Sequence, residues 1–420
     1  MRRILAVAIL AATTFHAVAR DLPTASPESV GMSRERLDRI GAAMRRYVDE
    51  GKIAGMVTLV ARHGKIVYAN VVGKQDVTNN TAVARDTLFR IYSMTKPITA
   101  VAAMTLYEEG RFQLTDPVST FLPEFKDQKV FEDGQEVASK TPMTMQHLLS
   151  HTGGLAYGFD KENPVERQYW DRELLLSPDL TEFAQRLSRI PLRFQPGSRW
   201  YYSLSSDVAG AVVERISGMP FDQFLKTHLF TPLGMHDTFF DVPVDQLHRF
   251  GPNYHWNAET KALEALPVPK YPIYQNTTFF SGGGGLVSTA GDYMRFCEML
   301  RAGGALDGAR ILSPKTIQLM TTNMLPAVLH DPANRTLPSE GDYSRGYGFG
   351  LGVGVLVDVA ASAVAGSVGA YTWGGAAGTN FWVDPVEDVV VVSMIQLMDS
   401  PWSWDNELRA LTYQAITKLN

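Results

Sequence analysis

The sequence predicts an α/β protein of the α+β kind: an antiparallel sheet flanked by helices, with a mainly helical region inserted between its two halves. Three observations carry that expectation. Strand-forming runs crowd both ends of the chain, amphipathic helices bracket those runs, and the stretch between them is helical with Pro/Gly-punctuated loops. With 420 residues, 45% of them hydrophobic, the chain can bury a large core, and this excludes intrinsic disorder.

The elements follow in order. Arg2 and Arg3 precede an apolar stretch from Ile4 to Phe15, and Ala17-Val18-Ala19 is a small-x-small cleavage site. Residues 1–19 are therefore expected to be a signal peptide, and the mature protein to be exported, periplasmic or secreted. No stable membrane anchor is expected, because a span needs about 18 or more apolar residues in a row. Ser33 is an N-cap candidate for a helix whose apolar positions are Leu37, Ile40, Met44, Tyr47 and Val48, stopped by Gly51. Met56 to Ala61 and Ile66 to Val72 form a hairpin pattern around His63-Gly64. Near the other end, Phe349, Leu351, Val353 and Val355 alternate with Gly348, Gly350, Gly352 and Gly354, giving one bulky face and one bare face open to a helix or a substrate. Phe381 to Val383 and Val389 to Ile395, joined through Asp384-Pro385, make a second hairpin. Trp404, Leu408, Leu411, Ala415 and Leu419 then mark the stripe of a terminal helix after Ser403. Strands at both ends fit a discontinuous α/β domain of residues 30–105 plus 285–420, with 106–284 as an inserted, mainly helical domain.

Charge and cysteine usage narrow the partners. The net charge is −5, and the 39 basic residues are scattered, so no nucleic acid is expected to bind. Cys297 is the one cysteine, which excludes an intramolecular disulfide; it lies too far from the leader to carry a lipid. Surrounded by Tyr293, Met294, Phe296 and Met299 in a helix capped by Thr289 and Asp292, it reads as a core residue. Gly282 to Gly285 lack the following Lys-Ser/Thr of a phosphate cradle and read as a flexible turn. His147 and His151 have the spacing of helical zinc ligands, but no Glu follows His147 and Gly153-Gly154 ends any helix. Neither a metal nor a cofactor is expected.

The chemistry begins at a serine. None sits in a Gly-x-Ser-x-Gly elbow, but Ser93-Met94-Thr95-Lys96 occurs once, followed by Pro97, a helical run from Ile98 to Glu109, and Gly110 as its stop. Residues three apart share a helix face, so Lys96 places its amine beside the Ser93 hydroxyl, and a partly desolvated lysine can accept that proton. The helix start adds positive dipole for a developing oxyanion. At this composition such a tetrapeptide arises by chance about 0.7 times, and its bland reading is a capping serine, so its weight comes from its company.

That company is Tyr202-Ser203-Leu204 within PGSRWYYSLSSDVAGAVVERISG and Trp373-Gly374-Gly375 within WGGAAGTNFWVDP. With Ser93-Met94-Thr95-Lys96, these segments resemble, in order, the three signature elements of the serine β-lactamase and penicillin-recognising superfamily. Their form is similar to that of the family VIII carboxylesterases, relatives of class C β-lactamases. The resemblance runs from about residue 30 to 418 and is reinforced by GRFQLTDPVSTFLPEF, HLLSHTGGL, GGGGLVSTAGDYMRF and GYGFGLG. It implies a β-lactamase-like fold, with Ser93 as nucleophile, Lys96 as its proton acceptor, and Tyr202 as the second base and acid that serves the leaving group. The register of Pro-Gly-x-x-Trp selects Tyr202 over Tyr201. The backbone N–H groups of Ser93 and Ala376 would form the oxyanion hole.

The third element departs from the lactamases. Where they carry Lys-Thr-Gly, or a histidine equivalent, this chain has Trp373, Gly374 and Gly375; the glycines keep an accessible edge, but no cation grips a substrate carboxylate. Leu204 likewise stands where lactamases commonly carry Asn. Tryptophan offers apolar area, so the expected substrate is a short-chain carboxylic ester, cleaved through an acyl-enzyme on Ser93. Tyr157, Phe159 and Trp170 are candidates for half-buried packing or for a pocket wall. One alternative is a β-lactamase or D-amino-acid peptidase of the same superfamily, and weak hydrolysis of reactive β-lactams is compatible with the ester reading. A second alternative, a binding module that has lost the chemistry, is disfavoured by the intact Ser93, Lys96 and Tyr202.

Overall fold

The computed structural model describes residues 21–325 and 345–420, with the short strand Arg335–Thr336 between them; the expected signal peptide lies outside the described residues. Helix α1 spans Arg34–Asp49 and starts where expected, with the Arg36 N–H donating to Ser33 Oγ at 3.3 Å. A hairpin follows, β1 (Gly55–Arg62) and β2 (Lys65–Asp76), and then a two-residue strand β3 (Thr81–Ala82). The later strands are β4 (Tyr347–Phe349), β5 (Gly354–Leu356), β6 (Tyr371–Gly374), β7 (Asn380–Asp384) and β8 (Val389–Met394). They assemble one antiparallel sheet in the order β4-β5-β6-β7-β8-β1-β2-β3. The join between the chain's ends is the β1–β8 pairing, from Val57 opposite Met394 to Arg62 opposite Val389.

All eight residues of β1 and all six of β8 are buried, because helices cover both faces of the sheet centre. On one face Met56, Val60, Val389 and Val391 pack with Leu37, Ile40 and Met44 of α1 and with Leu408 of the terminal helix α5 (Trp404–Tyr413). On the other, Val57, Leu59, Val390 and Val392 join a larger cluster. That cluster takes in helices α2 (Thr95–Glu108), α3 (Ser205–Ser217) and α4 (Ala290–Arg301). Truncating a fully buried residue such as Leu59 to Ala would cost roughly 2–5 kcal/mol.

Two local expectations need correction. The glycine-alternating run is not one strand: β4 and β5 pair through a turn in which the Gly350 N–H donates to the Val353 carbonyl. Within that turn Gly352 has φ of 82°, and a Cβ there would lie 2.5 Å from Ala100 Cβ, so at this one glycine α2 closely approaches the backbone. The terminal helix stops at Tyr413, because the following chain pairs with residues 31–33 through Ser33 N–H to Ala415 O and Thr417 N–H to Gly31 O. Leu419, expected on the stripe, is 73% exposed. The few strands of the 106–284 stretch are short, as in the hairpin of Lys129–Glu132 with Gln135–Ala138. Cys297 is fully buried in α4, whose Asp292 N–H donates to Thr289 Oγ1. Among the described residues no helix is long and apolar enough to cross a membrane.

Candidate active site

Ser93 is delivered by a tight reversal. The strand Phe89–Arg90 pairs with Val287–Ser288, and two residues later Tyr92 adopts φ of 41°, a left-handed conformation uncommon for a bulky residue. Ser93 follows in a single helical turn that runs into α2. Helix α2 is apolar around most of its circumference, with eleven of its fourteen residues buried, so it crosses the core and its first turn lies inside the protein. This carries Lys96 inward to 1% exposure.

The Lys96 ammonium has two hydrogen-bonding partners: Ser93 Oγ at 3.3 Å and the Gly283 carbonyl at 2.6 Å. Two rings cover the remaining directions, Tyr202 with its centroid 4.6 Å from Nζ and Tyr157 with its centroid at 5.3 Å. Tyr202 lies on the short connection between the strand Trp200–Tyr201 and α3, and its buried hydroxyl has no hydrogen-bond partner among the described residues. Tyr157 stacks on Tyr202 at 5.5 Å, and Phe159, half exposed, stacks on Tyr157 at 4.8 Å. Trp373, at the end of β6, tilts against Tyr202 at 5.5 Å and meets the edge of Phe349 at 5.1 Å. The site is thus a serine, a lysine and a tyrosine within an aromatic box.

The neighbouring tyrosine is used otherwise. Tyr201 donates to Glu166 Oε1 at 2.6 Å and receives a hydrogen bond from Arg193, which also pairs with Glu166. Glu166, fully buried, accepts the Gly158 and Asp160 N–H groups at 3.1 and 3.2 Å. Tyr201 therefore belongs to a network that fixes the loop carrying Tyr157 and Phe159. Trp170 also joins that loop, its Nε1–H donating to the Gly158 carbonyl at 2.6 Å, while its ring is 57% exposed.

Residues 374–376 sit against the serine turn. A Cβ on Gly375 would come within 2.3 Å of both the Ile91 carbonyl oxygen and Thr379 Oγ1, so only glycine lets this strand end approach so closely. Gly374 is half-buried and Ala376 exposed. His147 and His151 serve separate purposes. His147 completes a capping box with Thr144, while His151 is buried, hydrogen-bonded through Nδ1 to Ser203 Oγ at 3.0 Å, and packed 5.0 Å from Tyr202. Burial, with Lys96 adding to it, holds the His151 imidazole well below its ordinary range, so it stays neutral. Among the described residues no cluster of three His, Cys, Asp or Glu side chains could hold a metal.

The expected turn at Gly282–Gly285 is present, and its role in the site is what sequence reasoning missed. The Gly282–Gly285 turn is buried and clamped, with Thr99 Oγ1 donating to the Gly282 carbonyl at 2.7 Å and Leu286 N–H donating to Thr95 Oγ1 at 3.2 Å. Its peptide holds the lysine. Four consecutive glycines were the available signal: a backbone without side chains is needed where two helices close on one turn.

The beta-lactamase family model matches residues 40–415. The chain belongs to the beta-lactamase family. Within it, the chain is 36% identical to protein Rv1367c of Mycobacterium tuberculosis over 86% of this chain and 90% of that one. It is 33% identical to esterase EstB of Burkholderia gladioli over 82% of this chain and 86% of that one. The solved structure of EstCE1, described as a hydrolase with promiscuous acyltransferase activity, superposes with a TM-score of 0.78 at 30% identity, covering 90% of this chain and 99% of that one. As a member of the beta-lactamase family, the protein is a serine hydrolase.

Proposed function

We propose that the protein is a serine carboxylesterase, of the family VIII type, that cleaves short-chain carboxylic esters through an acyl-enzyme on Ser93. The observation that carries this reading is the placement of Lys96 Nζ, buried, 3.3 Å from Ser93 Oγ and against the Tyr202 ring. As Ser93 Oγ attacks the ester carbon, its proton passes to Lys96 in its neutral amine form, and Tyr202, whose hydroxyl has no partner to release, protonates the departing alkoxide. The oxyanion is met by the backbone N–H groups of Ser93 and Ala376, a reading supported by the close approach of Gly375 to the Ile91 carbonyl just before the serine turn. Water, deprotonated by the Tyr202 phenolate, then attacks the acyl carbon, and Lys96 returns its proton to Ser93 Oγ as the acid leaves.

Trp373 supports a neutral substrate: an indole offers area but no charge to a carboxylate. The stack from Tyr202 through Tyr157 to the half-exposed Phe159 gives the acyl or alkoxy group an apolar path to the surface. The similarity to EstB and EstCE1, an esterase and a hydrolase, favours the same reading. Weak turnover of reactive β-lactams is part of it, because the same attack opens any strained carbonyl that enters. We also propose export, resting on the leader-like residues 1–19. The test is stopped-flow hydrolysis of p-nitrophenyl butyrate. A chromophore burst stoichiometric with enzyme, or steady turnover lost in Ser93→Ala, is expected; no hydrolysis by the folded protein would refute the assignment.

A further inference from the structure

A second buried charge stands behind the lysine. Asp207, in the first turn of α3, is fully buried. Its carboxylate does not cap its own helix; it turns to the glycine turn, where Oδ1 accepts the Ser281 hydroxyl and the Gly283 N–H, the latter at 3.1 Å. Its second oxygen, Oδ2, has no hydrogen-bond partner among the described residues and presses on the turn: a Cβ on Gly283 would lie 2.3 Å from it. The carbonyl of that same Gly283 receives the Lys96 ammonium at 2.6 Å. One residue, Gly283, thus holds the carboxylate on its N–H and the lysine on its C=O, the two peptide groups on either side of its Cα.

We propose that Asp207 is a positioning residue for Lys96, acting through Gly283: by holding the residue's N–H it fixes the backbone whose carbonyl aims the ammonium at Ser93, and it supplies the buried negative charge that the ammonium faces. This rests on the ester-cleaving role of Ser93 and Lys96 argued above. Two features set Asp207 apart from a plain turn clamp. A clamp needs one acceptor oxygen, which an amide would supply equally well, whereas a carboxylate this deep is costly unless a cation answers it. Burial pushes the Asp207 carboxyl up, and the Lys96 charge is the largest influence drawing it back. The other titratable groups facing this pair are His151 and Tyr157 from the loop after the 145–149 helix, Tyr202 before α3, and Tyr271 ahead of the glycine turn.

The experiment compares the pH dependence of kcat/KM for p-nitrophenyl butyrate in the wild type, Asp207→Asn and Asp207→Ala, with Ser93→Ala as control. Asn keeps an acceptor and the shape but removes the charge, so the acid limb should move to lower pH by about half a unit or more, because the site loses a buried anion beside its proton-transferring groups. Ala also frees the turn, and kcat should fall about tenfold or more with KM nearly unchanged. An Asp207→Asn profile that overlays the wild type, or losses confined to KM, would overturn the proposal; if Asp207→Ala fails to fold, the Asn profile decides alone. Ser93→Ala separates the two levels. If it is inactive while Asp207→Asn is unshifted, only this inference falls; if it stays active, the nucleophile assignment itself is wrong.

Discussion

Lys96 Nζ stands 3.3 Å from Ser93 Oγ because both residues belong to one helical turn, and the Gly283 carbonyl anchors the ammonium from the far side at 2.6 Å. A buried ammonium costs desolvation, and this one is answered by a carbonyl, a hydroxyl and two ring faces. Lys96→Met keeps the stem and removes the charge. Stability should therefore fall, by up to about 3–5 kcal/mol, because the buried Asp207 carboxylate is left without its cation, while kcat falls ~10³-fold or more because the proton acceptor is gone. Urea denaturation and steady-state kinetics on the same preparation check both halves.

The two adjacent tyrosines should separate chemistry from folding. Tyr202→Phe removes a hydroxyl with no partner among the described residues, so the fold should hold while kcat falls ~10²-fold or more. Tyr201→Phe leaves the buried Glu166 one donor short, at a cost of about 1–3 kcal/mol of stability, with kcat close to wild type. Comparable kcat losses in both, or the larger at Tyr201, would reverse their roles.

Substrate class is tested at Trp373. A charge-assisted hydrogen bond to a substrate carboxylate contributes about 1.5–3 kcal/mol, and an indole cannot supply it. kcat/KM for p-nitrophenyl butyrate should exceed that for a chromogenic cephalosporin at least ~10²-fold. Parity, or a preference for the lactam, would mean that another cation binds the carboxylate.

Asp292 predicts a pH signature in stability. Burial in α4 pushes its carboxyl up to about 7, although Oδ2 accepts the Asp237 N–H at 2.7 Å and the Thr238 hydroxyl at 2.9 Å. A carboxyl with a raised folded-state pKa contributes most below the unfolded value near 4, and that contribution is lost as pH rises through about 7. Relative to Asp292→Asn, the wild type should lose stability on the order of 1 kcal/mol per pH unit between pH 5 and 7. Denaturant midpoints across that interval measure it; parallel curves would contradict it.

Much of this was legible in the sequence wherever the pattern was local. Ser33 caps its helix, the β1–β2 hairpin turns at His63-Gly64, and the Ser93/Lys96 spacing puts two side chains on one turn. What pattern could not supply was partnership across the chain. The terminal helix ends at Tyr413 because residues 31–33 capture the chain that follows, and nothing near Leu419 announces it. The glycine run reads as a turn in isolation, and only the fold hydrogen-bonds it to α2 and α3, which lie far from it in sequence. Asp207 went unnoticed for the same reason: in an amphipathic helix it reads as an ordinary first-turn acid, and only the fold brings Gly283 onto it.

The most direct test of the central claim is intact-protein and peptide mass spectrometry of the enzyme quenched in acid within the burst of p-nitrophenyl butyrate hydrolysis. One butyryl group should be found on the wild type, on the peptide that contains Ser93, and none on Ser93→Ala, whose turnover should be down at least ~10³-fold. Acylation at another residue, or a Ser93→Ala variant that keeps more than about a tenth of wild-type turnover, would contradict the account.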